Sequence, residues 1–311
     1  MASQVRRNLS VGLAVVILVA AFYGLGRALA TNWADVKQAL HHANWWFLAA
    51  GAVGAMVAVA GLAQRWHATL RALGADVPLV VASRWFMTGQ LGKYAPGGMW
   101  HIVGQGELAT RGGVPRRAAY ASVMIATVTL IGGAAVVVAG GALAPDSVRT
   151  PWWAVGLGGG IIAVLFIPQL RRFLLRKAGV PDGMLAARQL LWLVLGTVPT
   201  WLLIGVSSWL VARAFSNDLN VSRTILAAVA SWLVGIVTLP APGGIGVREA
   251  VFATALKVDT GAGAATLIAL MARMVFLAAD VAWFVLARFV RSNPVGAMTP
   301  TGAVTSAESS P

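Results

Sequence analysis

Long apolar runs alternate along this chain with short polar stretches that hold most of its basic residues. The runs lie at about 9–30, 45–64, 118–143, 151–168, 189–212 and 263–290. A helix rises about 1.5 Å per residue, so roughly twenty apolar residues cross about 30 Å of hydrocarbon. The pattern predicts an all-α polytopic membrane protein with about six transmembrane helices. Residues 79–106 and 223–251 are too polar, and too interrupted by Pro and Gly, to be plain crossings. Each is predicted as a broken, re-entrant hairpin.

The break is the same in both. Ala-Pro-Gly-Gly occurs at Ala95-Pro96-Gly97-Gly98 and again at Ala241-Pro242-Gly243-Gly244. Pro and Gly release backbone groups from a helix, and in hydrocarbon these must find protein, water or ligand. Pro242 follows Pro96 by 146 residues (242 minus 96). Three crossings and one hairpin in each half would insert the second half upside down, an inverted-topology repeat of the transporter kind. Repeat 1 is placed at about 9–143 and repeat 2 at about 150–290, within a membrane domain of residues 1–291. The polar tail 292–311 is expected to be disordered and cytoplasmic.

Composition supports the class. Of 311 residues, 58% are hydrophobic and only 11% charged, against about 25% charged in soluble domains. The net charge of +14 is scattered over short loops, which suits topology signals and anionic-lipid contacts and not a nucleic-acid partner. Arg6 and Arg7, a loop with Arg65 and Arg71, and a strongly basic loop holding Arg171, Arg172, Arg176, Lys177 and Arg188 put both termini in the cytoplasm. The expected location is the inner (plasma) membrane. The segment from Leu9 to Ala30 reads as a retained signal anchor, although Ala28-Leu29-Ala30 imitates a cleavage site. Most tryptophans, Trp45, Trp46 and Trp66 among them, are expected in the interfacial belts. With no cysteine and only four scattered histidines, no metal or other cofactor is expected.

The candidate chemistry is carried by ionisable residues at membrane depth, where each costs about 3 kcal/mol and persists for function or pairing. Lys93 precedes Pro96 by three residues and Arg248 follows Gly244 by four, so each break has a cation within about one turn. A half-helix beginning after Gly244 would add free N–H groups and a positive dipole end. The candidate substrate-binding set is Lys93, Pro96, Gly97, Gly98, Pro242, Gly243, Gly244, Arg248, Glu249 and Arg273. No catalytic residue is assigned. Arg273 would bind ligand or pair with Glu249, Asp280 is expected to brace helices, and Glu107 with Arg111 fits a solvated i, i+4 pair.

The stretch Leu239-Pro-Ala-Pro-Gly-Gly-Ile-Gly-Val-Arg-Glu-Ala250, with Arg273 in the last span, resembles the lysylphosphatidylglycerol synthetase transmembrane-region family. Gly89-Gln-Leu-Gly-Lys-Tyr-Ala-Pro-Gly-Gly98 resembles its first broken segment. Where many members carry a Glu-Arg pair, this chain reads Met124-Ile-Ala-Thr-Val-Thr129. The resemblance implies a flippase-like membrane module, here expected to stand alone without an aminoacyl-transferase domain. The leading expectation is a lipid translocase for an anionic phospholipid or a polyprenyl-phosphate-linked lipid. One alternative is a non-catalytic partner of an enzyme of envelope synthesis. The other is a membrane-embedded transferase using Glu249, Glu107 or Asp280 as base.

Overall fold

In the computed structural model, residues 37, 41–94, 100–141, 156, 160, 167–181, 183–237 and 246–289 are described. They form ten α-helices and one 3-10 turn, and no strand occurs among them. In chain order these are α1 (Trp45–Ala72), α2 (Leu79–Gln90), the 3-10 turn Leu91–Tyr94, α3 (Trp100–Arg111) and α4 (Arg116–Gly141). There follow α5 (Pro168–Lys177), α6 (Ala187–Leu195), α7 (Val198–Arg213), α8 (Val221–Val237), α9 (Val247–Thr260) and α10 (Ala262–Phe289). Four stretches are long and apolar enough to cross a bilayer: α1, α4, α6 continued by α7, and α10. Most of the predicted spans at 9–30 and 151–168, both Pro-Gly-Gly breaks and the tail lie outside the described residues.

Helix α1 starts where Asn44 caps it, its side chain accepting from the Trp46 N–H at 3.1 Å. It runs past the expected loop at Arg65 and Arg71, because the apolar run continues as Trp66, Leu70 and Leu73, all buried. It stops at Gly74, whose φ of 77° is left-handed, with the Ala75 N–H bonded back to Leu70 O at 3.0 Å. Helices α3 and α5 end in the same way, at Gly113 and Gly179.

The centre of the bundle is the antiparallel crossing of α1 on α7. Gly51 and Gly54 face Ser207, and Gly61 faces Thr200, so small residues let the two backbones approach. The Ser207 hydroxyl donates to Gly51 O at 2.7 Å. Asn44 N–H donates to Ala214 O at 2.9 Å, which ties the start of α1 to the end of α7. Three indoles pin helices together: Trp66 to Ser122 Oγ at 3.0 Å, Trp201 to Leu130 O at 2.8 Å and Trp283 to Met56 O at 2.8 Å. Trp66 is therefore buried core and not a belt residue as expected, whereas Trp45 and Trp46 are exposed.

Each broken segment is a pair of antiparallel helices. In the first, Gly89 faces Gln105 and Gly92 faces Trp100 and His101. In the second, Arg223 meets Asp259 at 2.6 Å near the base and Gly235 faces Arg248 nearer the tip. The first hairpin leaves from the C-terminal end of α1 and the second from the C-terminal end of α7. Since α1 and α7 are antiparallel, the hairpins enter the bundle from opposite ends.

Candidate functional site

Helix α10 is the wall on which residues flanking the two breaks, Lys93 and Tyr94 from the first hairpin and Glu249 from the second, converge. Arg273 and Asp280 occupy its interior, away from both ends, and Asp280 is buried. A seven-residue separation is two helical turns, about 10 Å, so the two do not contact each other directly. Asp280 holds the first hairpin, whereas Arg273 pairs with Glu249 of the second and also lies 5.5 Å from the ring centroid of Tyr94 of the first.

From the first hairpin, the 3-10 turn presents Lys93 and Tyr94. Lys93 Nζ lies 2.6 Å from Asp280 Oδ2, with side chains only 12% and 2% exposed. The Tyr94 hydroxyl donates to the same oxygen at 2.6 Å. One carboxylate oxygen thus holds both residues at the tip. The other, Oδ1, is buried with no hydrogen-bond partner among the described residues.

From the second hairpin, α9 presents Arg248 and Glu249. Gly246 takes a left-handed φ of 84° just before the helix, and its N–H donates to Glu249 Oε2 at 2.7 Å. That N–H is therefore not open to a ligand. The other Glu249 oxygen lies 3.7 Å from Arg273 Nε. Glu249 thus braces Arg273 and caps α9 at once, an arrangement favoured by a carboxylate in the first helical turn.

Arg248, its sequence neighbour, points elsewhere. Its guanidinium lies over the face of Trp232, 3.9 Å from the ring centroid. Trp232 is held edge-on by Trp201 and Phe276, at centroid distances of 6.0 and 5.3 Å. Among the described residues no carboxylate reaches ion-pair distance of Arg248, and its buried Nε has no hydrogen-bond partner. Gly235 leaves the room that the Arg248 stem occupies.

These groups border a cavity of about 30 Å³, lined by Tyr94, Trp232, Arg248, Glu249, Arg273 and Phe276, with Ser208 and Ser231. Both serine hydroxyls donate to carbonyls of their own helices, Ile204 O and Ala228 O, so lone pairs remain to accept from a guest. The space suits a few water molecules. The local balance is three cations, Lys93, Arg248 and Arg273, against two carboxylates, Glu249 and Asp280. An excess positive charge in a low-dielectric pocket attracts an anion.

Of the sequence-predicted set, Lys93, Arg248, Glu249 and Arg273 come together here, while Pro96, Gly97, Gly98, Pro242, Gly243 and Gly244 lie outside the described residues. Glu107 forms its surface pair with Arg111 at 3.4 Å and is remote from the cluster. Tyr94, Trp232 and Phe276 were not anticipated. Tyr94 had a signal, being the neighbour of Lys93; Trp232 and Phe276 had none, since aromatic residues abound in spans.

No curated protein matches the chain. Residues 9–283, most of its length, match the family model described as lysylphosphatidylglycerol synthase TM region, and the chain belongs to that family.

Proposed function

We propose that the protein is a lipid translocase that binds the anionic headgroup of a phospholipid or polyprenyl-phosphate-linked lipid where the two hairpin tips meet. The observation that carries this reading is Arg248, a cation at membrane depth, stacked on Trp232 and bordering the cavity without a carboxylate partner among the described residues. Charge in a span is costly, and Lys93 and Arg273 have their carboxylates. Arg248 is the group left to meet a phosphate, and Arg suits bidentate contact with phosphate oxygens.

An inverted repeat supports alternating access. Shifting α4 by the 146 residues that separate the two prolines gives 262–287, against α10 at Ala262–Phe289. The packing follows the same relation: α2 lies on α10 as α8 lies on α4, α3 on α4 as α9 on α10, and α1 on α2 as α7 on α8. A cavity of about 30 Å³ is less than a headgroup needs, which fits a closed state from which one hairpin would withdraw from α10 to admit lipid. Exposed Arg71, Arg116, Arg117, Arg172 and Arg188 gather at the end from which the first hairpin enters. That end is the cytoplasmic one by the positive-inside rule, in the plasma membrane.

The test is headgroup accessibility in liposomes holding the purified protein, with labelled anionic phospholipids and a polyprenyl phosphate. Movement should depend on Arg248 and disappear in Arg248→Ala at normal expression. Transport by that variant at the wild-type rate sinks the site, and no movement of any lipid turns attention to a partner of envelope synthesis.

A further inference from the structure

The basic stretch inside the second half, expected as a loop, contains a helix whose character fits a membrane surface. Helix α5, Pro-Gln-Leu-Arg-Arg-Phe-Leu-Leu-Arg-Lys, holds four cations and no carboxylate. It is too short to span: ten residues cover about 15 Å. Leu170, Phe173 and Leu174 form an i, i+3, i+4 stripe and are exposed, Phe173 to 53%. Arg172 and Arg176, four apart, lie on another side, and both are exposed, as is Lys177. Lys177 follows Phe173 by four and Leu174 by three, so its stem lies along the stripe, with Nζ 4.9 Å from the Phe173 ring centroid and free to reach outward past the apolar groups.

A third side anchors the helix. Leu175 and Ala178 pack, with buried Val180 and Leu185, against Leu73, Ala121, Ile125 and Leu190. These residues mark the places where the spans α1, α4 and α6 reach one end of the bundle. Helix α5 is thus held at the rim of the spans, with its apolar stripe and most of its charge turned outward. A merely solvated charge run would have no reason to expose Phe173 beside Leu170 and Leu174. A soluble acidic partner would match the charge of this surface but would leave the stripe in water. An anionic leaflet satisfies both: acyl chains take the stripe and headgroups take the cations.

We propose that α5 lies in the interface of this leaflet and binds anionic phospholipid headgroups there, independently of the site at the hairpin tips. The chain has no cysteine, so Phe173→Cys can carry a single environment-sensitive fluorophore in the full-length protein. Leu170→Cys serves as a second position in case the first label disturbs the helix. The protein is reconstituted in phosphatidylcholine vesicles and in vesicles containing about one third phosphatidylglycerol. Expected are blue-shifted emission and quenching by headgroup-depth nitroxide lipids in the anionic vesicles. Both should weaken at high salt and in the triple variant Arg172→Gln, Arg176→Gln, Lys177→Gln. Water-like emission from both labels in both vesicles overturns the proposal. So does a shift equal in neutral vesicles and indifferent to the triple variant, or one that tracks protein-to-lipid ratio, which would mark a second copy on this face.

Discussion

Arg248 and Trp232 stand on the two arms of one hairpin, and the guanidinium of the first covers the indole of the second at 3.9 Å. The ring does for Arg248 what a carboxylate does for Lys93 and Arg273: it stabilises the charge at depth. It does so without neutralising it.

Replacing that ring should therefore weaken anion binding. A desolvated cation–π contact contributes about 2 kcal/mol, equivalent to roughly 30-fold in affinity at about 1.4 kcal/mol per tenfold. Trp232→Leu is expected to raise the half-saturating concentration of labelled anionic lipid by up to about that factor in liposomes. Arg248→Lys, which keeps the charge but loses the flat stack, should fall between wild type and Arg248→Ala.

Gly235 gives a sharper test of position. Ala is favoured over Gly within a helix by about 1 kcal/mol, so Gly235→Ala would stabilise α8 if nothing faced it. A Cβ there runs into the Arg248 side chain. The expected result is helical content preserved by circular dichroism, with transport strongly reduced because the guanidinium is displaced from Trp232. Unchanged transport would show that Arg248 tolerates displacement.

The Lys93–Asp280 pair should behave as a buried ion pair. Removing one partner leaves an uncompensated charge and costs about 3–5 kcal/mol, whereas replacing both by apolar residues is often nearly neutral. Asp280→Asn, which also weakens the acceptor for Tyr94, should lower Tm in detergent clearly. Lys93→Met with Asp280→Leu should recover much of the loss, and the non-additivity of the cycle measures the coupling.

At the crossing of α1 and α7, packing should outweigh hydrogen bonding. Ser207→Ala loses the bond to Gly51 O, worth about 0.6 kcal/mol on average inside a membrane. Gly51→Leu must push against Val211 and the Ser207 carbonyl, and no rotamer removes a Cβ. Thermal unfolding should show a small shift for the first and a large one for the second. Similar small shifts for both would mean that the two helices separate easily.

Much of the site was legible as a list of residues and little of it as an arrangement. Lys93, Arg248, Glu249, Arg273 and Asp280 stand out because ionisable groups in apolar runs are costly, and cost is a property of composition alone. Their partners are another matter. Arg248 and Glu249 are adjacent, yet one stacks on Trp232 and the other caps its own helix while holding Arg273. Asp280, expected as a brace, braces the tip of the first hairpin, a hydrogen bond of sequence separation 186. Trp66 shows the reverse failure. It sits beside Arg65 as a belt residue would, but α1 continues to Ala72 and Ser122 supplies the acceptor that lets the indole be buried.

The sequence by itself determined the membrane class, the all-helical fold and the family, because run length and hydropathy act locally through the cost of moving each residue into hydrocarbon. Only the tertiary structure decided that the two hairpins enter from opposite ends, that Lys93 and Glu249 both pair with residues of α10, and that Arg248 is left without a carboxylate among the described residues. Those outcomes depend on angles between helices far apart in the chain, and Coulomb attraction between two residues acts only once packing has brought them within a few ångströms.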